Sequence, residues 1–344
     1  MIKFRLIVKT AAGMEWELPY SSISFSEELN KDRVANFTIV RQTGEQVAAI
    51  TGTTLEAILS GGYREVEIRD SLGVLVYSGF IDETTGNAGA SEYGNVSVTS
   101  RGFFGLLEKR YTANLVTYTA TDAGAIAWDL IADTQAKTYG DFGITMGSIT
   151  ASKNRDRTYK WRNIKEAILA LTSDNVKDGF DFDIDTGKVF NVFYPQKGSS
   201  RPEIIFDSKF NIDRWSVRKT GILGMANHVI VFGAGNEDDM IVEERTSTAG
   251  YKAAYFLLEE GLSDKDNGDA TLLQDKGDAY LASYQYPQKF VNISVFYDNP
   301  TYSTYNVGDY VRVKIVEEGV DAMMRILRRS CSMDGTVDLV LKSI

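Results

Sequence analysis

The feature that most constrains the fold is a series of short segments over positions 1–105 in which apolar and polar residues alternate. Alternation with a period of two is typical of strands that bury one face. The clearest segments are residues 34–40, 65–69, 74–81 and 95–100. The turn-like sequence Asp70-Ser71-Leu72-Gly73 separates two of them. We therefore predict that residues 1–105 form a first, all-β domain resembling a barrel.

A different period begins after position 105. Beyond Thr121, the predicted N-cap, apolar residues recur on one helical face at Ala123, Ile126, Ala127, Leu130 and Ile131. A second helix is predicted to start at Asn163, because Glu166 follows three positions later as in a capping box. Strand patterns follow at residues 180–184 and 189–193. Residues 106–213 are therefore predicted to form a small α+β insertion domain.

Strand patterns return from position 214 to the end of the chain. They cover residues 229–232, 241–245, 290–296, 310–316, 323–327 and 337–341. One amphipathic helix is predicted near residues 269–284, with Leu273, Tyr280 and Tyr284 on one face. Residues 214–344 thus form a second predicted β-barrel-like domain with a helical excursion. The predicted fold class is mainly β with an α+β insertion, and no exact internal repeat is found.

Charge and hydropathy exclude several functions. The 344 residues contain 37 Lys and Arg and 47 Asp and Glu, a net charge of -10. An acidic chain is unsuited to tight nucleic-acid binding, although DNA can slide past a wall that repels its phosphates. No run of about 18 apolar residues is present, so we predict no membrane span. The alternating first residues do not have the pattern of a signal peptide.

Histidine and cysteine are too scarce for the chemistry that depends on them. His228 is the one histidine and Cys331 the one cysteine. Zinc sites and catalytic triads need more such ligands, so His228 is predicted to be structural and Cys331 to be a packing residue. The sequence Gly233-Ala234-Gly235 follows a strand, as in a dinucleotide-binding loop. Acidic residues and another strand follow instead of a helix, which favours a hairpin tip.

Acidic residues offer two candidate cation sites. Asp181, Asp183 and Asp185 alternate along one strand and could bind calcium, but strand alternation alone explains the spacing. The second candidate, Asp264, Asp266 and Asp269, is more simply a solvated loop that begins a helix. The doublets Glu27-Glu28, Glu243-Glu244 and Glu317-Glu318 are not glycosidase dyads, because neighbouring strand residues face opposite ways. We predict no catalytic, cofactor-binding or metal-binding residues.

Basic residues form two clusters. Arg155, Arg157, Lys160 and Arg162 interleave with Tyr159 and Trp161, a composition that could contact nucleic acid by charge and stacking. The acidic total favours a strand whose long basic side chains cover apolar surface. Arg325, Arg328 and Arg329 are predicted to form an interface or a set of ion pairs.

Several motifs, in order along nearly the whole chain, resemble those of bacteriophage tail hub proteins. Residues 76–82 (Val-Tyr-Ser-Gly-Phe-Ile-Asp) and 98–107 resemble the end of the first barrel in that family. Residues 159–168 followed by 178–182 are similar to its helix-then-strand insertion. Residues 306–313 (Asn-Val-Gly-Asp-Tyr-Val-Arg-Val) resemble the entry to its second barrel, and 324–327 with 337–341 its closing hairpin.

The resemblance implies two β-barrel-like domains of tail-tube-like topology and a non-catalytic structural role. Three copies would form a ring of pseudo-sixfold symmetry that joins the hexameric tail tube to a threefold tip and encloses a channel. The implied partners are a distal tail or tube protein, a tip or fibre protein, the tape measure protein and DNA in passage. The implied location is the virion tail tip, after assembly in the host cytoplasm.

Three other functions remain open at this point. The chain could be a hexameric distal tail ring protein, which a mass measurement distinguishes from a trimer. It could be a carbohydrate-binding receptor protein, since its 18 Tyr, 17 Phe and 4 Trp supply enough aromatic surface. A carboxylate-based glycosidase is the third alternative, because sequence alone cannot pair distant acids.

Overall fold

The computed structural model describes residues 3–10, 12–60, 62–87, 94–173, 175–176, 178–247, 256–265 and 268–343. Its architecture is mainly β with an α+β segment in the middle of the chain, which confirms the predicted fold class. In the described part of the chain, no helix is both long and apolar enough to cross a membrane.

The first β module covers the strands β1 to β7 and two helices. The strands are β1 (Arg5–Thr10), β2 (Glu15–Leu18), β3 (Ser22–Glu28), β4 (Val34–Val40), β5 (Arg64–Arg69), β6 (Leu75–Asn87) and β7 (Asn95–Arg101). The helices α1 (Arg41–Ile50) and α2 (Leu55–Ser60) correct the all-β prediction for this region. They escaped prediction because the residues that α1 buries, Gly44 and Ala48, are small and do not form a row of large apolar side chains.

The α+β module follows. It consists of β8 (Val116–Asp122), α3 (Ala123–Gln135), β9 (Thr145–Ile149), β10 (Asn154–Tyr159), α4 (Ile164–Leu169), β11 (Asp181–Ile184) and β12 (Val189–Phe193). The predicted N-cap of α3 is wrong by one residue, because the carboxylate of Asp122 accepts from the Ala125 N–H at 3.0 Å. The predicted cap of α4 is confirmed, since the Asn163 side chain accepts from the Glu166 N–H. This module has its own apolar core.

The second β module contains β13 (Ser200–Asp207), β14 (Ile212–Lys219), β18 (Lys289–Phe296), β19 (Tyr310–Ile315), β20 (Val320–Ser332) and β21 (Thr336–Ser343). An excursion between β14 and β18 contains β15 (His228–Phe232), β16 (Val242–Thr246), β17 (Glu259–Ser263) and α5 (Ala270–Tyr284). β13 pairs in parallel with β19, so a strand of this module precedes position 214. β20 is far longer than predicted, because it continues through Arg328 and Arg329.

The two β modules share one sheet of 13 strands. Its main path runs β14-β18-β21-β20-β3-β4-β7-β6-β5-β1-β2, with β19 and β13 branching from β20. The modules meet where β3 pairs antiparallel with the second half of β20, from Arg328 opposite Glu28 to Ser332 opposite Ser24. A single apolar core extends through both modules beneath this sheet.

Candidate assembly site

The large sheet contains the same five-stranded arrangement twice. In the first β module the order is β3-β4-β7-β6-β5, and in the second it is β14-β18-β21-β20-β19. All neighbours within both arrangements are antiparallel, and the strands follow in the same order along the chain. The two β modules are therefore structural repeats of each other, although the sequence contains no exact internal repeat.

The repeat extends to the pairing of residues around a register shift that both modules share. The ladder between β6 and β7 shifts register between Ile81 and Glu83, and the ladder between β20 and β21 shifts between Ile326 and Arg328. Aligning the ladders on this shift makes Ile81 equivalent to Ile326 and Glu83 equivalent to Arg328. A β-bulge is a specific local feature, so its recurrence fixes the alignment.

A buried ion pair lies at the junction of the two modules. Glu27 of β3 and Arg329 of β20 are direct cross-strand partners, both more than 90% buried, with Arg329 Nη2 3.1 Å from Glu27 Oε2. Arg329 also donates to the carbonyl oxygens of Tyr302 and Tyr305. Burial alone would raise the pKa of Glu27, but the charges of Arg329 and Arg33 outweigh it and hold that pKa well below 4.5. The sequence showed this glutamate only as half of an acidic doublet.

This shifted pKa predicts a pH dependence. Because the pKa of Glu27 is lower in the folded protein than in the unfolded chain, its contribution to stability is complete above about pH 4.5 and is lost as the pH falls below that value. We expect the Glu27→Gln variant to be less stable than the parent at pH 7, with the difference shrinking as the pH is lowered toward 3. Urea unfolding at several pH values measures this. A difference that stays constant from pH 7 to pH 3 would contradict the assignment.

Asp181 joins the three modules of the molecule through hydrogen bonds and an ion pair. Its side chain is fully buried and accepts from Asn30 Nδ2 at 3.0 Å, Ser173 Oγ at 2.7 Å, Lys197 N at 2.8 Å and Arg325 Nη2 at 2.5 Å. These partners come from the first β module, the α+β module, the loop before β13, and β20. The carboxylate is thereby satisfied by hydrogen bonds and one opposite charge.

The other acidic candidates are also engaged in local structure. Asp183 lies 2.5 Å from Lys197 Nζ, and Asp185 accepts within its own turn from Gly187 N at 2.8 Å. Asp269 caps α5, and Asp264 pairs with Lys276 at 3.2 Å, whereas Asp266 lies outside the described residues. Within the described ranges, no three His, Cys, Asp or Glu side chains are placed to hold a metal ion.

The basic clusters are mostly paired with acids. Arg155 is buried on β10 and lies 2.5 Å from Asp275 of α5, so it joins the α+β module to the excursion. Arg162 pairs with Glu166 at 3.4 Å, and Trp161 is 62% exposed. The ion-pair prediction for the second cluster is confirmed for Arg325 and Arg329, whereas Arg328 is exposed.

His228, Cys331 and the glycine loop each make contacts within the fold. His228 Nδ1 lies 2.8 Å from Thr246 Oγ1 across the β15–β16 ladder. Cys331 is buried in the core, and burial raises its pKa to about 12. The loop of Gly233 and Gly235 leads into a short 3-10 turn and then β16, with Gly233 N donating to Ile241 O, so the hairpin interpretation is confirmed.

The face of the large sheet opposite the core carries small polar side chains across both modules. These residues are Ser22, Ser24, Ser26, Asn36, Thr38, Ser97, Thr99, Ser216, Asn292, Ser294, Ser330 and Ser332. Asn36 and Asn292 occupy equivalent positions on β4 and β18, and both bond a neighbouring hydroxyl, of Thr99 and Ser216 respectively. We call this surface the polar face.

An open cleft of about 1030 Å³ lies at one end of the polar face. Ser26 and Asn36 of the polar face line one side, Lys165 of α4 lines another, and Tyr280 and Tyr284 of α5 line a third. The α+β module and the excursion therefore flank the same end of the polar face. Both lie beside the continuous sheet without interrupting it.

Comparison with solved structures identifies the class of fold. A tail protein from Neisseria meningitidis matches with a TM-score of 0.66 at 16% identity, covering 99% of this chain and 96% of that chain. A 43 kDa tail protein of a Shewanella oneidensis prophage matches with a TM-score of 0.66 at 13% identity, covering 99% and 97%. An E. coli type VI secretion component, described as similar to the T4 tail proteins gp27 and gp5, matches with a TM-score of 0.56 at 11% identity, covering 99% and 76%.

The chain therefore has the fold of phage tail proteins, and the resemblance predicted from the motifs is confirmed at the level of the fold. No protein-family model and no curated protein sequence matches the chain.

Proposed function

We propose that this protein is a non-catalytic structural hub of a phage tail tip, in which copies close into a ring around a channel. The observation that carries the proposal is the structural repeat: one chain supplies two equivalent β modules already joined edge to edge through β3 and β20. Three such chains would place six equivalent modules around one axis. A trimer of this kind matches a hexameric tube on one side and a threefold tip on the other.

The polar face is the surface we assign to the channel wall. It is continuous across the β3–β20 junction, and short hydroxyl and amide side chains dominate it. Such a wall offers a passing polymer mainly hydroxyl and amide groups, and the cations Arg214 and Arg328 on it are accompanied by the carboxylate of Asp338. The opposite face is committed to the core and cannot line a channel.

The remaining parts of the proposal rest on this arrangement and on the resemblance to tail hub proteins. The two β modules act as the ring-forming domains, and the α+β module acts as an attachment domain at one end of the polar face. The partners are a distal tail or tail-tube protein, a tip or fibre protein and the tape measure protein. The protein is located in the virion tail tip after assembly in the host cytoplasm.

The mass of the assembled protein tests this function. We expect native mass spectrometry of the purified protein to show three copies of the 38.2 kDa chain. Six copies would indicate the distal tail ring instead, because twelve modules do not match a hexameric tube one to one. A monomer at every concentration up to about 100 μM would contradict ring formation by this chain.

A further inference from the structure

The structural repeat leaves two strand edges without a partner strand in the described part of the chain. β14 is paired on one side only, with β18. Residues 83–86 of β6 pair with β7, whereas the ladder to β5 stops at Phe80. Exposed edges of this kind are normally covered, because they invite pairing with another chain.

The equivalents of these two edges are paired with each other inside the chain. β3 is the equivalent of β14, and β20 is the equivalent of β6. The first half of β20 pairs with β19, and its second half continues past the bulge to pair with β3. β6 has the same two halves, but the second half has no counterpart of β3 in the described chain.

We propose that β14 of one copy pairs antiparallel with residues 83–86 of β6 in a second copy of this chain, in the register of the β3–β20 junction. The equivalences place Thr84 opposite Lys219, Thr85 opposite Arg218 and Gly86 opposite Val217. This inference rests on the proposed ring and specifies its contact surface. Each copy then offers β14 to one neighbour and residues 83–86 of β6 to the other, so closure into a ring pairs both of these edges in every copy.

Charge complementarity supports this pairing. At the junction within the chain, β3 carries Glu27 and Glu28, and β20 carries Arg328 and Arg329 opposite them. At the unpaired edges the sign is exchanged at two equivalent positions. Lys219 of β14 is equivalent to Glu27, and Glu83 of β6 is equivalent to Arg328. Attraction between unlike edges favours the proposed contact, and repulsion between like edges disfavours two copies of β14 meeting each other.

Apolar residues of β14 are more exposed than their equivalents on β3, as expected for a strand that is paired on one side only. Ile23 and Phe25 of β3 are 2% and 3% exposed. Their equivalents on β14 are Trp215 and Val217, and Trp215 is 36% exposed. Residues 82–86 of β6 are all exposed as well. A second copy paired with β14 would bury Trp215 and Val217, just as β20 buries the equivalent residues of β3 within the chain.

Disulfide cross-linking tests the register. We expect the double variant Thr85→Cys with Arg218→Cys, mildly oxidised, to give covalent dimers and trimers on a non-reducing denaturing gel, since directly opposite strand residues lie within disulfide reach. The matched control is Thr84→Cys with Arg218→Cys, in which a shift of one residue points the two side chains to opposite faces. The two single variants control for Cys331, whose buried thiol is unreactive.

The outcomes separate this inference from the proposed function. A ring of three copies in which the matched pair does not cross-link, or cross-links no better than the shifted pair, would overturn the β14–β6 contact and leave the ring standing. Absence of any ring overturns both. Independently, Glu83→Arg should weaken assembly at least about tenfold, and adding Arg218→Glu should restore it, because the two positions are diagonal neighbours in this register. Failure of the restoration would contradict the register.

Discussion

Replacing Asp181 with alanine is expected to lower the free energy of unfolding by about 3–5 kcal/mol, the usual cost of removing one partner of a buried ion pair. The change leaves Arg325 without its carboxylate and removes the acceptor of Asn30, Ser173 and the Lys197 N–H. A buried donor that loses its acceptor still bears the cost of its desolvation, and no hydrogen bond offsets that cost. Urea unfolding monitored by circular dichroism measures the loss.

The matched control lies two residues further along the same strand. Asp183 is partly exposed and pairs with Lys197 through one short contact. Asp183→Ala is expected to cost about 1 kcal/mol or less, in keeping with partly solvated ion pairs. Equal losses for the two alanine variants would show that Asp181 does not join the modules as described.

Replacing Arg329 with methionine is expected to cost about 3–5 kcal/mol as well, because it leaves Glu27 charged and buried at the junction of the two β modules. The loss also affects the carbonyl oxygens of Tyr302 and Tyr305, which accept from Arg329. Since the junction is one continuous sheet, we expect a lower denaturation midpoint with a single cooperative transition across both modules.

A double variant distinguishes the ion pair from simple packing. Glu27→Leu combined with Arg329→Met should be more stable than Arg329→Met alone, since a buried pair can be replaced by apolar side chains of similar size. The recovery should be incomplete, because the two tyrosine carbonyls still lack their donor. Additive losses in this double-mutant cycle would indicate that Glu27 and Arg329 do not interact.

Local patterns in the sequence were sufficient for most elements and for the fold class. The capping signal at Asn163 and the alternation of residues 290–296 each depend on neighbours within a few positions. The end of β20 was missed, because Arg328 and Arg329 interrupt the apolar alternation that defines a strand. Arg329 faces the core because Glu27, 302 positions away in the sequence but on the neighbouring strand, neutralises its charge.

The junctions between the modules depend on contacts that no local pattern reveals. Asn30 and Asp181 are 151 positions apart, and Glu27 and Arg329 are 302 apart. The repeat is visible in the sequence as a similarity between two segments, Val-Ala-Asn-Phe-Thr-Ile-Val at 34–40 and Phe-Val-Asn-Ile-Ser-Val-Phe at 290–296. Only strand pairing shows that Asn36 and Asn292 are equivalent, because register is a property of the sheet and not of either segment.

End-on electron microscopy of the purified assembly tests the central claim most directly. Two equivalent modules in each of three chains predict class averages of a ring around an open channel, with threefold symmetry that approximates sixfold. Six evenly spaced densities close to the axis would be the β modules. A solid particle without a central opening, or a ring in which each chain contributes one density near the axis, would contradict the account.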